Sequence, residues 1–397
     1  MPLERTSAHI PALDGLRGLA IILVLLFHFT PEGGGSTLIG VLTRWVSRLG
    51  WCGVDLFFVL SGFLITGILF DAKGSAHYFR NFYMRRVLRI FPLYYGALLV
   101  IFVIIPLWRP MSGPEDQRLM QNQHWLWVYA ANIPQAITGD WPLETSWVKL
   151  NHFWSLAIEE HFYLVWPTIV FAFGRKTLMR ICTGCMVVAL VLRILAYFLW
   201  NDTAAYVLTP CRMDELAMGG LVALAARGPG GIAAMLRPAR WVAAILFVLL
   251  FGIWLQRMED LNYTVALTVL AAFFGALLVV AVAGGTASAI FSNPVLRFFG
   301  KYSYGIYVFH WILAPLFEKH FSSEKLGTAM GSNFIGVALS MGVAIGISTL
   351  VAVLSWHLYE KHFLKLKKFF EYGEKKAAPA EAEAVTGRTW AVEMQAP

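Results

Sequence analysis

The chain has 397 residues, 58% of them hydrophobic and 14% charged, against roughly 25% charged residues in soluble domains, and its mean hydropathy is +0.62. These values exclude a soluble globular protein, a disordered chain and a disulfide scaffold, leaving one polytopic membrane domain as the natural unit. Lys and Arg outnumber Asp and Glu by 32 to 24, an excess that reads as membrane-loop asymmetry, since no basic tract interleaved with aromatics points to nucleic acid.

Apolar stretches fall near 11–29, 51–70, 90–107, 153–173, 178–200, 213–226, 241–256, 263–283, 303–317 and 331–357. A membrane-crossing helix needs about 20 such residues, so the expected fold is an all-α integral membrane protein, a bundle of about ten transmembrane helices. Asp14 and Arg17 lie within the first stretch and no small-residue cleavage site follows it, so it reads as a retained span rather than a signal peptide. Placing both termini in the cytoplasm puts Lys73, Arg80, Arg85, Arg86, Arg89, Arg175, Lys176, Arg180, Arg227, Arg237, Arg240, Arg297 and Lys301 inside. The outer loops then hold fewer, among them Arg44, Arg48, Arg109, Lys149 and Arg257, as the positive-inside rule requires.

Ionisable residues inside the spans are costly and mark functional candidates. In the first span Arg17 and His28 are eleven residues apart, which on a helix is about three turns and about 16 Å along one face. Asp14 lies one turn below Arg17 on the same stripe. Histidine suits general-base work near neutral pH, although a histidine hydrogen-bonded in the bundle and an arginine anchored on headgroups would fit each residue taken alone. The second span carries Asp55 near its outer end, a candidate to orient His28 or to cap its own helix, and Ser61 near mid-depth. Arg85, Arg86 and Arg89 at the entry of the third span suit either inside anchoring or a ligand with several phosphates, which guanidinium groups grip bidentately.

The long outer loop from Trp108 to His152 holds Trp108, Trp125, Trp127, Trp141 and Trp147, suited to the interface belt or to a groove that stacks sugar rings. In the fourth span His152, Ser155 and Glu159 share one face while Glu160 lies about 100° round with Tyr163; the cluster reads as an acid/base centre or as a buried network joining helices. Cys182 and Cys185 sit one turn apart in an apolar run, as packing residues, and Cys52 and Cys211 share a predicted side, which leaves a disulfide open. Arg212, Asp214 and Glu215 open the sixth span, and His310 in the ninth has no charged companion in the sequence. From Lys361 the chain turns basic and then Ala/Glu-rich, so the expected division is a membrane domain over 1–360 and a disordered cytoplasmic tail over 361–397. No nucleophile elbow, Walker loop, zinc spacing or dinucleotide fingerprint occurs.

Taken together and in order, these segments resemble the acyltransferase family 3 membrane proteins. The landmarks are Leu13-Asp14-Gly15-Leu16-Arg17-Gly18, Arg17 with His28, Gly53-Val54-Asp55 through Ser61-Gly62-Phe63, Arg86 with Arg89, Trp154 with Glu159-Glu160, and Ser303-Tyr304 through Tyr307 to His310. The resemblance runs from Pro11 to about Glu360. It implies a ten-helix core that moves an acyl group, commonly acetyl, from cytoplasmic acyl-CoA to a sugar hydroxyl outside, with no metal. Arg17 and His28 match the family's first-helix pair, and Arg86 and Arg89 its arginine pair. Many relatives carry an added extracytoplasmic hydrolase-like domain, whereas this chain stops soon after Lys361 and resembles the stand-alone members. His161 stands where the family commonly has Gln after its paired Glu, which leaves the acceptor open.

The expected site therefore has CoA phosphates near Arg17, Arg86, Arg89 and Arg85, His28 as base or acyl carrier, and an orienting carboxylate among Asp14, Asp55, Glu159 and Glu160. The expected partners are a glycan or glycosylated acceptor and the lipid bilayer of a bacterial inner membrane, with oligomeric state and direct or relayed transfer left open. A secondary transporter is the rival class, since intramembrane charges also mark ion pathways, but it calls for inverted repeats between halves and none is evident. A structural partner in a glycan-assembly complex would leave the charged stripe tolerant of substitution.

Overall fold

The computed structural model describes residues 10–30, 50–255 and 259–372. Arg44, Arg48 and Arg257 and the chain after 372 lie outside the described residues. Within them the protein is helical throughout, with one isolated bridge between Glu144 and Lys149 and no strand.

Ten helices carry the expected apolar stretches: α1 Pro11–Phe29, α2 Gly53–Asp71, α3 Tyr78–Leu99, α4 Phe153–Ala172, α5 Arg175–Leu199, α6 Met213–Ala225, α7 Gly231–Leu255, α8 Val265–Val282, α9 Pro294–Ile312 and α10 Asn333–Ser355. Seven helical segments among the described residues are long and apolar enough to cross a membrane. The other three are α4 and α9, whose apolar runs are interrupted by Glu159 and Glu160 and by Arg297 and Lys301, and α6, which has 13 residues. The chain is a multi-pass membrane protein.

Several boundaries differ from the sequence expectation for local reasons. The third helix begins at Tyr78 and runs on through a wider turn at Val100–Ile104, so the arginines expected at its entry already lie on helix. α9 begins at Pro294 because the Asn293 side chain accepts the Val295 N–H and proline fits the first helical turn. The first part of the tail expected from residue 361 is ordered, since Lys361–Leu364 and Lys365–Phe370 continue as helix. The four cysteines are free thiols, so the disulfide left open between Cys52 and Cys211 is not formed.

Two parallel helix pairs organise the bundle, each packed through glycine. Along α1 and α9 a side chain at Gly15, Gly18 or Gly300 would overlap the carbonyl of Phe291, Leu296 or Asp14. Along α2 and α6 a side chain at Gly62 would overlap the Leu216 carbonyl, and one at Gly219 the Val59 carbonyl. Lipid tails give helices no hydrophobic reason to associate, so close backbone approach of this kind supplies the packing. Ion pairs tie both ends of the α2/α6 pair: Asp55 to Arg212 at 2.6 Å and Asp71 to Arg227 Nε at 2.7 Å.

The loop after the third helix folds into a cap with helices at Pro114–Trp127 and Asn132–Thr138 and buried Leu119, Leu126, Leu143, Val148 and Leu150. Asn151 fastens it, donating to the Trp141 carbonyl and accepting from the Leu143 N–H. Its tryptophans divide: Trp108 is 87% exposed, while Trp147 donates to Asp116 at 2.7 Å beneath the Arg109 guanidinium.

Gly62→Ala should lower the thermal midpoint in detergent, with a cost of about 1–3 kcal/mol for overpacking. Gly184→Ala on α5, where a side chain meets nothing within 4 Å, should be neutral or stabilising. Equal responses of the two variants would contradict the glycine-packed α2/α6 contact.

Candidate active site

α1, α2, α3, α4 and α9 line a partly open cavity of about 100 Å³. Arg17, Arg86 and Arg89 line one end, Ser61, Glu159, Glu160 and Tyr163 its middle, and Ser155, Tyr304 and Tyr307 the rest. Arg17 pairs with Asp14 at 3.3 Å. Arg86 lies 5.8 Å and 5.7 Å from the Phe82 and Tyr163 rings, and its Nε is buried without a hydrogen-bond partner. Arg85 does not line the cavity; it donates to the Lys367 carbonyl at 3.5 Å.

The two adjacent glutamates differ. Glu159 accepts from Ser61 of α2 at 2.6 Å and from Tyr163 of its own helix at 3.1 Å, so both oxygens are used. Glu160 Oε1 is buried with no hydrogen-bond partner, as is Asp55 Oδ2, but Asp55 is ion-paired to Arg212 whereas Glu160 forms no ion pair among the described residues. Of the pair, Glu160 is the group with acid/base capacity to spare.

Beyond the cavity, three histidines meet, with His310 between His28 and His152. The His28 ring lies 4.9 Å from His310 and 4.4 Å from Trp311, and His310 lies 5.1 Å from His152. Each has one ring nitrogen on a backbone carbonyl: His28 Nδ1 on Val24 at 2.9 Å, His310 Nδ1 on Tyr307 at 2.7 Å and His152 Nε2 on Val308 at 3.3 Å. A carbonyl only accepts, so that nitrogen carries the proton and, in the neutral ring, the other bears the lone pair. His28 therefore presents Nε2 as its basic nitrogen. Tyr307 links this cluster to the cavity it lines, donating to the His152 carbonyl at 2.9 Å and meeting Ser155 Oγ at 2.5 Å. Among the described residues no three His, Cys, Asp or Glu groups are disposed to hold a metal ion. Above His28 the cap closes in, with Glu144 accepting from the Trp311 indole at 3.2 Å and Lys149 paired with Glu318 at 2.7 Å.

Asp55 does not orient His28. Its carboxylate, fully buried, accepts from Arg212 Nη2, whose Nε is shared with Glu215 at 3.0 Å and whose plane lies among Phe58, Trp154 and Tyr206. A full guanidinium charge outcompetes a distant imidazole for that carboxylate. Asp14 is held by Arg17 three turns from His28, and neither glutamate reaches the ring, so among the described residues the orienting contact of His28 is its own helix carbonyl.

A second buried pair escaped the sequence reading. Arg193 on α5 grips Asp214 with two nitrogens and also donates to the Cys211 carbonyl and Thr268. Its signal was present, since an arginine deep in an apolar span requires a partner. Tyr304, Tyr307 and His310, spaced three apart on one face of α9, were likewise legible as a set, and the companions His310 lacked in sequence are His28 and His152.

Residues 10–354 match the acyltransferase domain of acyltransferase family 3. The chain belongs to that family. It is 28% identical over 330 residues to the peptidoglycan O-acetyltransferase OatA of Listeria monocytogenes, covering 78% of this chain and 50% of the relative. It is 26% identical over 392 residues to a putative peptidoglycan O-acetyltransferase of Bacillus subtilis, covering 90% and 56%, and 26% identical over 379 residues to a putative O-acetyltransferase of Staphylococcus aureus, covering 90% and 58%. The chain spans about half the length of the curated relatives it matches. No solved structure matches it. The family match takes in all five helices around the cavity and stops short of Lys361–Phe370.

Arg193→Met should cost about 3–5 kcal/mol by leaving Asp214 buried and uncompensated, while Arg193→Met with Asp214→Leu should recover most of the loss. Thermal unfolding of the two variants in one detergent checks this, and a double variant no more stable than the single one would contradict it.

Proposed function

We propose that the chain is a membrane O-acyltransferase that takes an acyl group, acetyl in the simplest case, from acyl-CoA and delivers it to a hydroxyl of an extracytoplasmic glycan. The relatives' names favour a cell-wall polysaccharide such as peptidoglycan as the acceptor. The observation that carries the reading is a row of polar side chains through an apolar bundle, with three arginines, Glu160 and Tyr307 lining one cavity and His310 joining Tyr307 to His28 by ring contacts beyond it. The positive-inside count supports the arginine end, and both termini, in the cytoplasm of a bacterial inner membrane with His28 on the opposite side. The parallel pairs α1/α9 and α2/α6 agree with the parity of a ten-crossing path.

In this reading the donor phosphates pair with Arg17, Arg86 and Arg89, because guanidinium groups grip phosphate oxygens in pairs. The narrow pantetheine arm then runs along the cavity toward His28, about 16 Å above Arg17 by helix rise. His28 Nε2 takes the proton of the acceptor hydroxyl and the oxygen attacks the thioester carbonyl. The carbon–sulfur bond breaks, the thiolate takes up the proton, and an ester and a free thiol leave. The cap and the apolar walls exclude water, which would otherwise hydrolyse the thioester.

The test is turnover of labelled acetyl-CoA by the protein in nanodiscs with glycan acceptors. His28→Ala should lower kcat by about 10²–10⁴-fold, the usual worth of a general base, with CoA binding retained. Arg89→Ala should chiefly raise KM for acetyl-CoA, and Asp55→Asn should lower thermal stability while kcat per folded molecule is kept. Full turnover by His28→Ala would remove the base from the mechanism. Proton-driven solute uptake without CoA turnover would replace the enzyme by a transporter.

A further inference from the structure

Past the family match the chain does not leave the bundle. After Lys361–Leu364, the stretch Lys365–Phe370 packs on α3. Asn81 donates to the Glu371 carbonyl at 2.8 Å, Arg85 to the Lys367 carbonyl at 3.5 Å, and the Arg80 guanidinium lies 5.7 Å from the Phe370 ring centre. Arg80, Asn81 and Arg85 belong to the same helix as Arg86 and Arg89, so the segment is fastened beside the arginine end of the cavity.

This fastening brings in a fifth cation. Lys367 is partly buried and lies within electrostatic range of Arg89, Arg86, Arg85 and Arg17. Glu160 faces Arg86, and Glu360 faces Arg89 across a smaller cavity lined by Lys301, Tyr302 and Trp356. Among the described residues, however, neither carboxylate forms an ion pair with Arg85, Arg86, Arg89 or Lys367. Crowding like charges away from water is unfavourable in itself and becomes favourable around a polyanion. The Nε of Arg86 at the same place is buried and unmatched, on a guanidinium that, unlike that of Arg193, has no carboxylate paired with it among the described residues.

We propose that Lys367, carried in by the folded-back segment, completes with Arg17, Arg85, Arg86 and Arg89 a binding site for a polyphosphate, and that its occupant is the nucleotide end of the acyl donor. The assignment rests on the donor reading above and extends it to a residue beyond the family match. Arg85 and Lys367 belong to the site together, because the Arg85 contact to the Lys367 carbonyl sets where that side chain stands.

The test is binding of CoA and, separately, of pyrophosphate to the full chain in phosphatidylcholine nanodiscs, with and without phosphatidylglycerol. Wild type is compared with Lys367→Glu, Lys367→Arg and Lys368→Glu, whose lysine is exposed on the same segment. Lys367→Glu should weaken both ligands by roughly tenfold or more, Lys367→Arg should restore them, and Lys368→Glu should change them by less than about twofold. Equal effects of the two charge reversals on CoA binding, or no binding of either anion by wild type, overturn the site. Pyrophosphate binding lost in Lys367→Glu, with no CoA binding by wild type, upholds the anion site and overturns the donor reading. Competition of phosphatidylglycerol with CoA in wild type that Lys367→Glu removes assigns the site to a lipid headgroup and overturns the nucleotide.

Discussion

A charge inside a bilayer has no water to turn to, and the protein must answer it with its own atoms. Arg193 and Arg212 are both ion-paired: Arg193 meets Asp214 and the Cys211 carbonyl, with its Nε left unmatched, Arg212 meets Asp55, Glu215 and the Tyr206 carbonyl, and together they join α2, α5 and α6 and the turn before α6. Such pairs return little net stability once desolvation is counted, yet removing one partner is severe, so they fix which helices lie together. The arginines of α3 are treated differently. Arg86 and Arg89 face a cavity, and the nearest carboxylates stand off at longer range. Ion pairing, present at Arg193 and Arg212 and absent at Arg86 and Arg89 among the described residues, is what distinguishes the two sets.

The same contrast sorts the fourth helix. Glu159 and Glu160 are neighbours in sequence and equal in chemistry, but a serine and a tyrosine occupy the first and leave the second unmatched. Histidines sort by carbonyl contacts instead. Because His28, His152 and His310 each give one ring proton to the backbone, each neutral ring keeps one lone pair, and the three rings gather at His310.

How much of this the sequence disclosed follows from the range of each interaction. Spacing within one helix is set by 3.6 residues per turn, so the stripe of Asp14, Arg17 and His28 was legible, as were Arg86 with Arg89 and the face shared by His152, Ser155 and Glu159. Pairings between helices were not. Asp55 and Arg212 are 157 positions apart, and nothing in either segment says that α2 lies parallel to α6; the nearer candidate, His28, therefore attracted the assignment. His310 looked isolated for the same reason. Residues 361–370 were expected to be disordered because a run of lysines resembles a solvated tail until Asn81, Arg85 and Arg80 are seen to hold it.

The backbone-to-backbone seam between α1 and α9 leaves no room for one helix to slide on the other without a glycine position meeting a carbonyl. Arg17 and His28 ride on the same rod, and Ser303, Tyr307 and His310 ride on its partner. The span between Arg17 and His28 is thus the length of one helix segment, a gauge cut into the protein. Under the proposed donor reading, reach comes from the flexible arm of the substrate. Any preference among donors would then be a matter of how far their reactive carbon extends along that gauge, with one helical turn, about 5.4 Å, already a gross misfit.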